Sequence, residues 1–157
     1  MSRDQRMLDN WALLHAAEVA TEKGCKLAVC FNLVDAFLEA GARQFGFMLR
    51  GLQKVAPEIE QANMRFYLLR GDPGETVPRL ISEIDAGLLV VDQAPLRLPR
   101  QWKESVKSAI SCPMHEVDAH NIIPVCMFKT TCLVVFADTE NFRLGGAASQ
   151  QQHATLD

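Results

Sequence analysis

The chain has 157 residues, 48% of them apolar, with a formal net charge of −3. That is one domain's worth of sequence with enough apolar content for an ordinary core, so the chain as a whole is not a disordered protein. The charge provides no global electrostatic drive toward nucleic acid, no apolar run approaches the roughly 20 residues of a membrane span, and the polar start does not read as a secretory signal; a soluble intracellular chain is expected. Cys25, Cys30, Cys112, Cys126 and Cys132 are odd in number and never spaced as Cys-x-x-Cys. This argues against a disulfide framework or a zinc site and for buried free thiols.

The opening stretch, Ser2-Arg-Asp-Gln-Arg6, is a charged loop running straight into an amphipathic segment. Asp9 or Asn10 can cap a helix over residues 9–23, along which Trp11, Leu14 and Val19 recur at helical spacing. Gly24 is placed to end that helix in the left-handed conformation. Residues 26–32 (Lys-Leu-Ala-Val-Cys-Phe-Asn) form a short β-prone run that reads as a strand buried on both faces. A connector then leads to a helix over residues 41–62 with Phe45, Met48, Leu49 and Leu52 on one face, and Pro57 either kinks it or starts a second piece. Residues 65–70 are the next strand, closed by a turn at 71–74. The helix over 75–85 tolerates Pro78 if that residue lies in its first turn. Residues 87–92 are the clearest core strand and deliver Asp92 to the sheet edge where α/β proteins collect ligands. A helix over 99–110 follows, with Trp102, Val106 and Ile110 toward the sheet, and then a strand over 113–118.

Short apolar runs alternating with longer amphipathic ones are the signature of an α/β fold, a doubly wound and mostly parallel sheet joined by helical crossovers. Such a sheet normally begins with a strand, and here the first helix has none before it. One candidate for the slot is the β-prone run at 132–137 (Cys-Leu-Val-Val-Phe-Ala); the alternative is a sticky segment in a poorly ordered tail.

Six separated blocks carry a family resemblance. They are the opening Met1-Ser-Arg-Asp-Gln-Arg6 with Asp9-Asn-Trp-Ala-Leu13, Val29-Cys-Phe-Asn-Leu-Val34, Gln44-Phe-Gly-Phe-Met-Leu-Arg-Gly-Leu52, Gly71-Asp-Pro-Gly-Glu75, Asp92-Gln-Ala-Pro-Leu-Arg-Leu-Pro-Arg-Gln-Trp102, and Val117-Asp-Ala-His-Asn-Ile-Ile-Pro124. In this order they resemble the N-terminal α/β domain of the photolyase and cryptochrome family, and the form of the opening block is that of the class II cyclobutane-dimer photolyases. The resemblance implies a Rossmann-like domain over residues 1–124, truncated before its first strand. Residues 125–157 then form a divergent tail whose low-complexity end is expected to be disordered.

The family repairs pyrimidine dimers in ultraviolet-damaged DNA with reduced FAD excited by blue light. Its FAD site and DNA groove belong to a helical C-terminal domain absent from this sequence. The resemblance therefore implies a chain that is inactive alone, holds no FAD, and can at most bind an antenna chromophore such as a deazaflavin or folate.

Arg3, Asp4 and Arg6 suit a ligand phosphate or docking to the absent domain, or else ion pairs that organise their own loop. Asp92 suits a hydrogen bond to an antenna ring, or helix capping. Arg97 and Arg100 suit a phosphate clamp, or are solvated arginines flanking Pro99. Asp118, His120 and Asn121 read as a turn into an interdomain linker rather than as acid–base machinery. His15 and His153 form no cluster with carboxylates at metal-ligand spacing, so no metal is expected. The competing assignment is a small stand-alone nucleotide-binding α/β module of the stress-protein type, but the glycine-rich phosphate loop such modules carry is missing.

Overall fold

The computed structural model describes Met1, residues 4–119 and Asn121. Within them, helices and strands alternate in the order α1 (Trp11–Lys23), β1 (Ala28–Leu33), α2 (Ala42–Gln61), β2 (Arg65–Arg70), α3 (Pro73–Glu83), β3 (Leu89–Asp92), α4 (Arg97–Ala109) and β4 (Met114–Val117). Every strand pair is parallel: Ala28 lies opposite Arg65 and Leu33 opposite Arg70, while Leu89 lies opposite Met114 and Asp92 opposite Val117. Parallel strands joined by helices are the Rossmann-like α/β arrangement expected from the rhythm of the sequence.

The sheet is interrupted, however. β1 pairs with β2 and β3 pairs with β4 as two separate two-stranded sheets, and residues of both β1 and β3 line one cavity between them. The run at 132–137, considered above for this slot, lies outside the described residues.

Local chemistry explains most element ends. Asn10 is the N-cap of α1: its side-chain oxygen accepts from the Leu13 amide at 3.0 Å, satisfying one of the donors a helix leaves open. Gly24 closes the helix at φ +62°, and the Gly24 and Cys25 amides donate back to the last turn. Nothing lies within 4 Å of a Cβ built at Gly24, so the backbone alone penalises a side chain there. Gly24→Ala is expected to cost about 1 kcal/mol in a urea melt, and an unchanged midpoint would show that the left-handed turn is not required.

Three expectations are corrected. Trp11 and Leu14 do not face the core: they are 60% and 51% exposed, whereas Ala12 is buried. α1 packs on β3 and β4, and of its leucines Leu13 turns inward against the core while Leu14 does not. β1 is not buried evenly on both faces, since Val29 and Phe31 are buried while the alternate residues are partly exposed, the ordinary period-two pattern of a strand. The thiols are not uniformly buried either: Cys25 is exposed, and Cys30 and Cys112 are half-buried.

Helix starts also shift. α3 begins at Pro73, because Asp72 caps it by accepting from the Gly74 amide at 2.7 Å. Pro78 therefore falls beyond the first turn and costs the Gly74 carbonyl its usual partner. α2 runs unbroken through Pro57. The core forms two clusters. In one, Val29, Val55 and Ile59 join β1 to α2, with Met1 and Met7 of the opening segment and Leu13 of α1 against them. In the other, Val77, Ile81 and Val106 join α3 to α4, with Leu69 and Leu89 packed alongside.

Candidate functional site

The carboxyl ends of β1 and β3 bring the strongest candidates to one edge. The end of β1 is tied down by Asn32, whose side-chain amide donates to the Gly71 carbonyl at 2.9 Å and whose oxygen accepts from the Thr76 hydroxyl at 2.5 Å. Gly71 sits at φ +121°, a conformation that L side chains rarely adopt. Gly74 allows a different closeness: a Cβ there would meet the Ser105 Cβ at 3.1 Å, so its missing side chain lets α3 approach α4. The Gly71-Asp-Pro-Gly74 motif therefore positions the start of α3 beside the end of β1.

Between β1 and β3 lies a cavity of about 690 Å³. Its walls are mostly apolar: Phe31 and Leu33 come from β1, Val90 and Val91 from β3, and Phe45 and Met48 from α2. Phe37 and Trp102, both in the lining, stand with ring centroids 5.9 Å apart and planes tilted by 38°, within the range of favourable aromatic pairing. The polar lining is sparse and comprises Gln5, Asn32, Gln44, Asp92 and Lys103. Lys103 pairs with Glu116 of β4, which turns its charge toward the second sheet. A few convergent polar groups in a mostly apolar cleft of this size are what an organic ligand requires.

The residues singled out from sequence separate spatially. Asp92 is buried, 4% exposed, and lines the cleft. Asp4 and Arg6 are not among the described lining residues. Arg6 Nη2 lies 3.7 Å from Asp4 Oδ2 and donates to the Asp9 carbonyl at 3.2 Å. Asn10 fixes the same loop from beneath, its amide donating to the carbonyls of Asp4 and Arg6 at 2.9 and 3.1 Å. Arg97 begins α4 on the exposed surface, and Arg100 is exposed one turn later. Asn121 donates to both carboxylate oxygens of Asp118, as in a turn. Arg3, His120 and His153 lie outside the described residues.

Sequence reasoning missed three contacts: Phe37 with Trp102, Lys103 with Glu116, and His15 Nε2 with His115 Nδ1 at 3.0 Å. Each joins separate elements, so no local spacing announces it. Among the described residues no three His, Cys, Asp or Glu side chains converge as a metal site would require, and no helix is long and apolar enough to cross a membrane.

Comparison with known proteins extends the picture. A profile of the DNA photolyase family matches residues 1–141, a span that runs past Pro124. The chain is 47% identical over 127 residues to a deoxyribodipyrimidine photo-lyase of Arabidopsis thaliana, covering 80% of this chain and 26% of that protein. It is 44% identical over 126 residues to one of Potorous tridactylus, covering 79% of this chain and 24% of that protein. For one of Oryza sativa subsp. japonica the figures are 42% over 132 residues, 80% and 26%. The chain thus spans about a quarter of the length of these relatives. A solved universal stress protein in complex with cAMP aligns with a TM-score of 0.47 at 15% identity, covering 72% of this chain and 92% of that one.

Proposed function

Since the chain belongs to the DNA photolyase family, we propose that it supplies the N-terminal α/β portion of a class II cyclobutane-dimer photolyase and that its strand edge seats a light-harvesting antenna. The observation that carries this reading is 42–47% identity across four fifths of the chain to proteins of which it spans about a quarter. Class II is favoured by the opening Met1-Ser-Arg-Asp-Gln-Arg6. The rest of the enzyme's length then holds FAD and grips ultraviolet-damaged DNA, and this chain alone repairs nothing. The stress-protein alternative yields to the family match.

When bound, an antenna such as a deazaflavin or folate absorbs light and passes the excitation on to the flavin. The cleft suits the ring system of such a group in volume and in its apolar lining. Phe37 and Trp102, which pair with each other in the lining, offer an aromatic surface for the ring to pack against. Asp92, at the end of β3, accepts a hydrogen bond from the ring edge, and Arg97 with Arg100 meets a charged tail outside. The exposed Arg6 side chain, beside the mostly buried Asp4, is available for docking to the remainder of the enzyme.

An absorption spectrum after gel filtration with deazaflavin or FAD tests the proposal. The expected result is retained deazaflavin, weakened at least tenfold by Trp102→Ala, with no retained FAD and no repair under blue light. Retained FAD accompanied by dimer repair would overturn the assignment.

A further inference from the structure

Helix α2 turns its two faces to different surroundings. Leu52, Val55 and Ile59 are buried, and Phe45 and Met48 line the cleft. The opposite face carries Arg43, Phe47, Arg50 and Lys54, all of them exposed. Separated by steps of four, three and four residues, they form one straight stripe along the helix, roughly 16 Å long.

The charge of this stripe is not explained by the helix that carries it. Among the described residues no ion pair involves Arg43, Arg50 or Lys54, although Glu58 stands one turn beyond Lys54. α2 has no acidic residue in its first turn and no basic residue in its last. Its cations therefore crowd toward the end where the macrodipole is already positive, the reverse of what stabilises a helix. In a chain with a net charge of −3, cations and dipole together make one local field that attracts anions. Phe47 adds a second feature. It is 76% exposed, with Arg43 one turn before it and Arg50 one turn after, and Arg43, Gln44, Phe47 and Arg50 line a shallow hollow of about 530 Å³. Arg50 Nη1 lies 3.6 Å from where a Cβ would stand on Gly46, so the guanidinium lies back along the helix over the neighbour of Phe47.

We propose that this stripe binds a single strand of nucleic acid, with one base stacked on Phe47 and the flanking phosphates paired with Arg43, Arg50 and Lys54. Cations spaced along a helix suit a chain of anions rather than one anion, and guanidinium forks match phosphate oxygens. An open aromatic face between those cations suits a planar group between those anions. A phosphodiester strand with unpaired bases has that alternation. A chain of carboxylates or phosphates without bases satisfies the charge alone, and a paired duplex keeps its bases stacked on each other. Stacking and phosphate pairing are both tolerant of sequence and sugar, so DNA and RNA strands are bound alike. The stripe faces away from the cleft and does not depend on what binds there.

The test uses the complete 157-residue chain and fluorescence anisotropy of a labelled oligothymidylate of about 12 nucleotides, with the unlabelled strand as competitor. Expected is saturable binding with a Kd on the order of 10 μM at about 20 mM salt, weakening with a log–log salt slope of about −2, the value for three cations on a single strand. Arg50→Gln is expected to bring that slope to about −1.4. Phe47→Ala is expected to weaken binding at least about fivefold at unchanged slope. Lys107→Gln, which removes an exposed cation of α4, is expected to change neither. All three positions are exposed, so urea midpoints like the parent's are expected and verify that the variants are folded. An oligouridylate of the same length is expected to bind within about twofold, and the fully paired duplex and inorganic polyphosphate at least about fivefold more weakly. The proposal is overturned by absence of binding, by a Phe47→Ala variant that binds like the parent, by a Lys107→Gln effect as large as that of Arg50→Gln, or by duplex or polyphosphate binding as tightly as the single strand.

Discussion

Ile59→Ala is expected to unfold much of the population at moderate urea, lowering stability by about 2–5 kcal/mol. Ile59 has 0% exposure and forms a buried cluster with Val29 and Val55. Truncating it removes apolar contact and leaves a void that close packing cannot fill without moving a helix. The loss is large against a typical domain stability of about 5–15 kcal/mol, particularly where the sheet is interrupted. Ile59→Val serves as the calibration and is expected to cost about 0.5–1.5 kcal/mol. Because Met1 and Met7 pack on the same cluster, the alanine variant is also expected to speed amide exchange in the opening segment before global unfolding. Equal midpoints for the two variants would show that the site collapses around the smaller side chain.

How much of this was legible in advance depends on the range of the interaction. The order of helices and strands was legible because periodicity is local, and so were the Gly24 cap and one of the two capping candidates for α1. The delivery of Asp92 to the carboxyl edge of the sheet followed from a strand that ends at that residue. The start of α3 was not legible: Gly71-Asp-Pro-Gly74 reads equally as a turn or as a cap followed by a first-turn proline, and the Asp72 bond to the Gly74 amide settles it. The outward aim of Trp11 and Leu14 was also hidden. Spacing identifies an apolar stripe but not which surface meets the core, and it is Leu13 that turns inward while its neighbour Leu14 is exposed. The aromatic pair in the cleft's lining depends on Phe37 meeting Trp102, a pairing that only the tertiary fold creates.

Asn10 shows local and long-range demands converging on one side chain. It is 1% exposed, its oxygen caps α1, and its amide holds the carbonyls of Asp4 and Arg6. Asn10→Ala removes the cap, worth about 1 kcal/mol, and leaves acceptors of the opening loop without that donor, at about 1–3 kcal/mol for a buried group. A total loss of about 2–4 kcal/mol is expected by thermal or urea melting. Asn10→Asp separates the two roles. It keeps an oxygen for the Leu13 amide but replaces the donor with a second acceptor and buries a charge facing two carbonyls. If capping were all that mattered, the aspartate variant would match the parent, because Asp and Asn cap about equally well. The structure instead requires Asn10→Asp to be at least as damaging as Asn10→Ala, with faster exchange at the amides around Asp4 and Arg6. An aspartate variant as stable as the parent would show that the charged loop holds its shape without Asn10, leaving the Asp4–Arg6 pair to organise it.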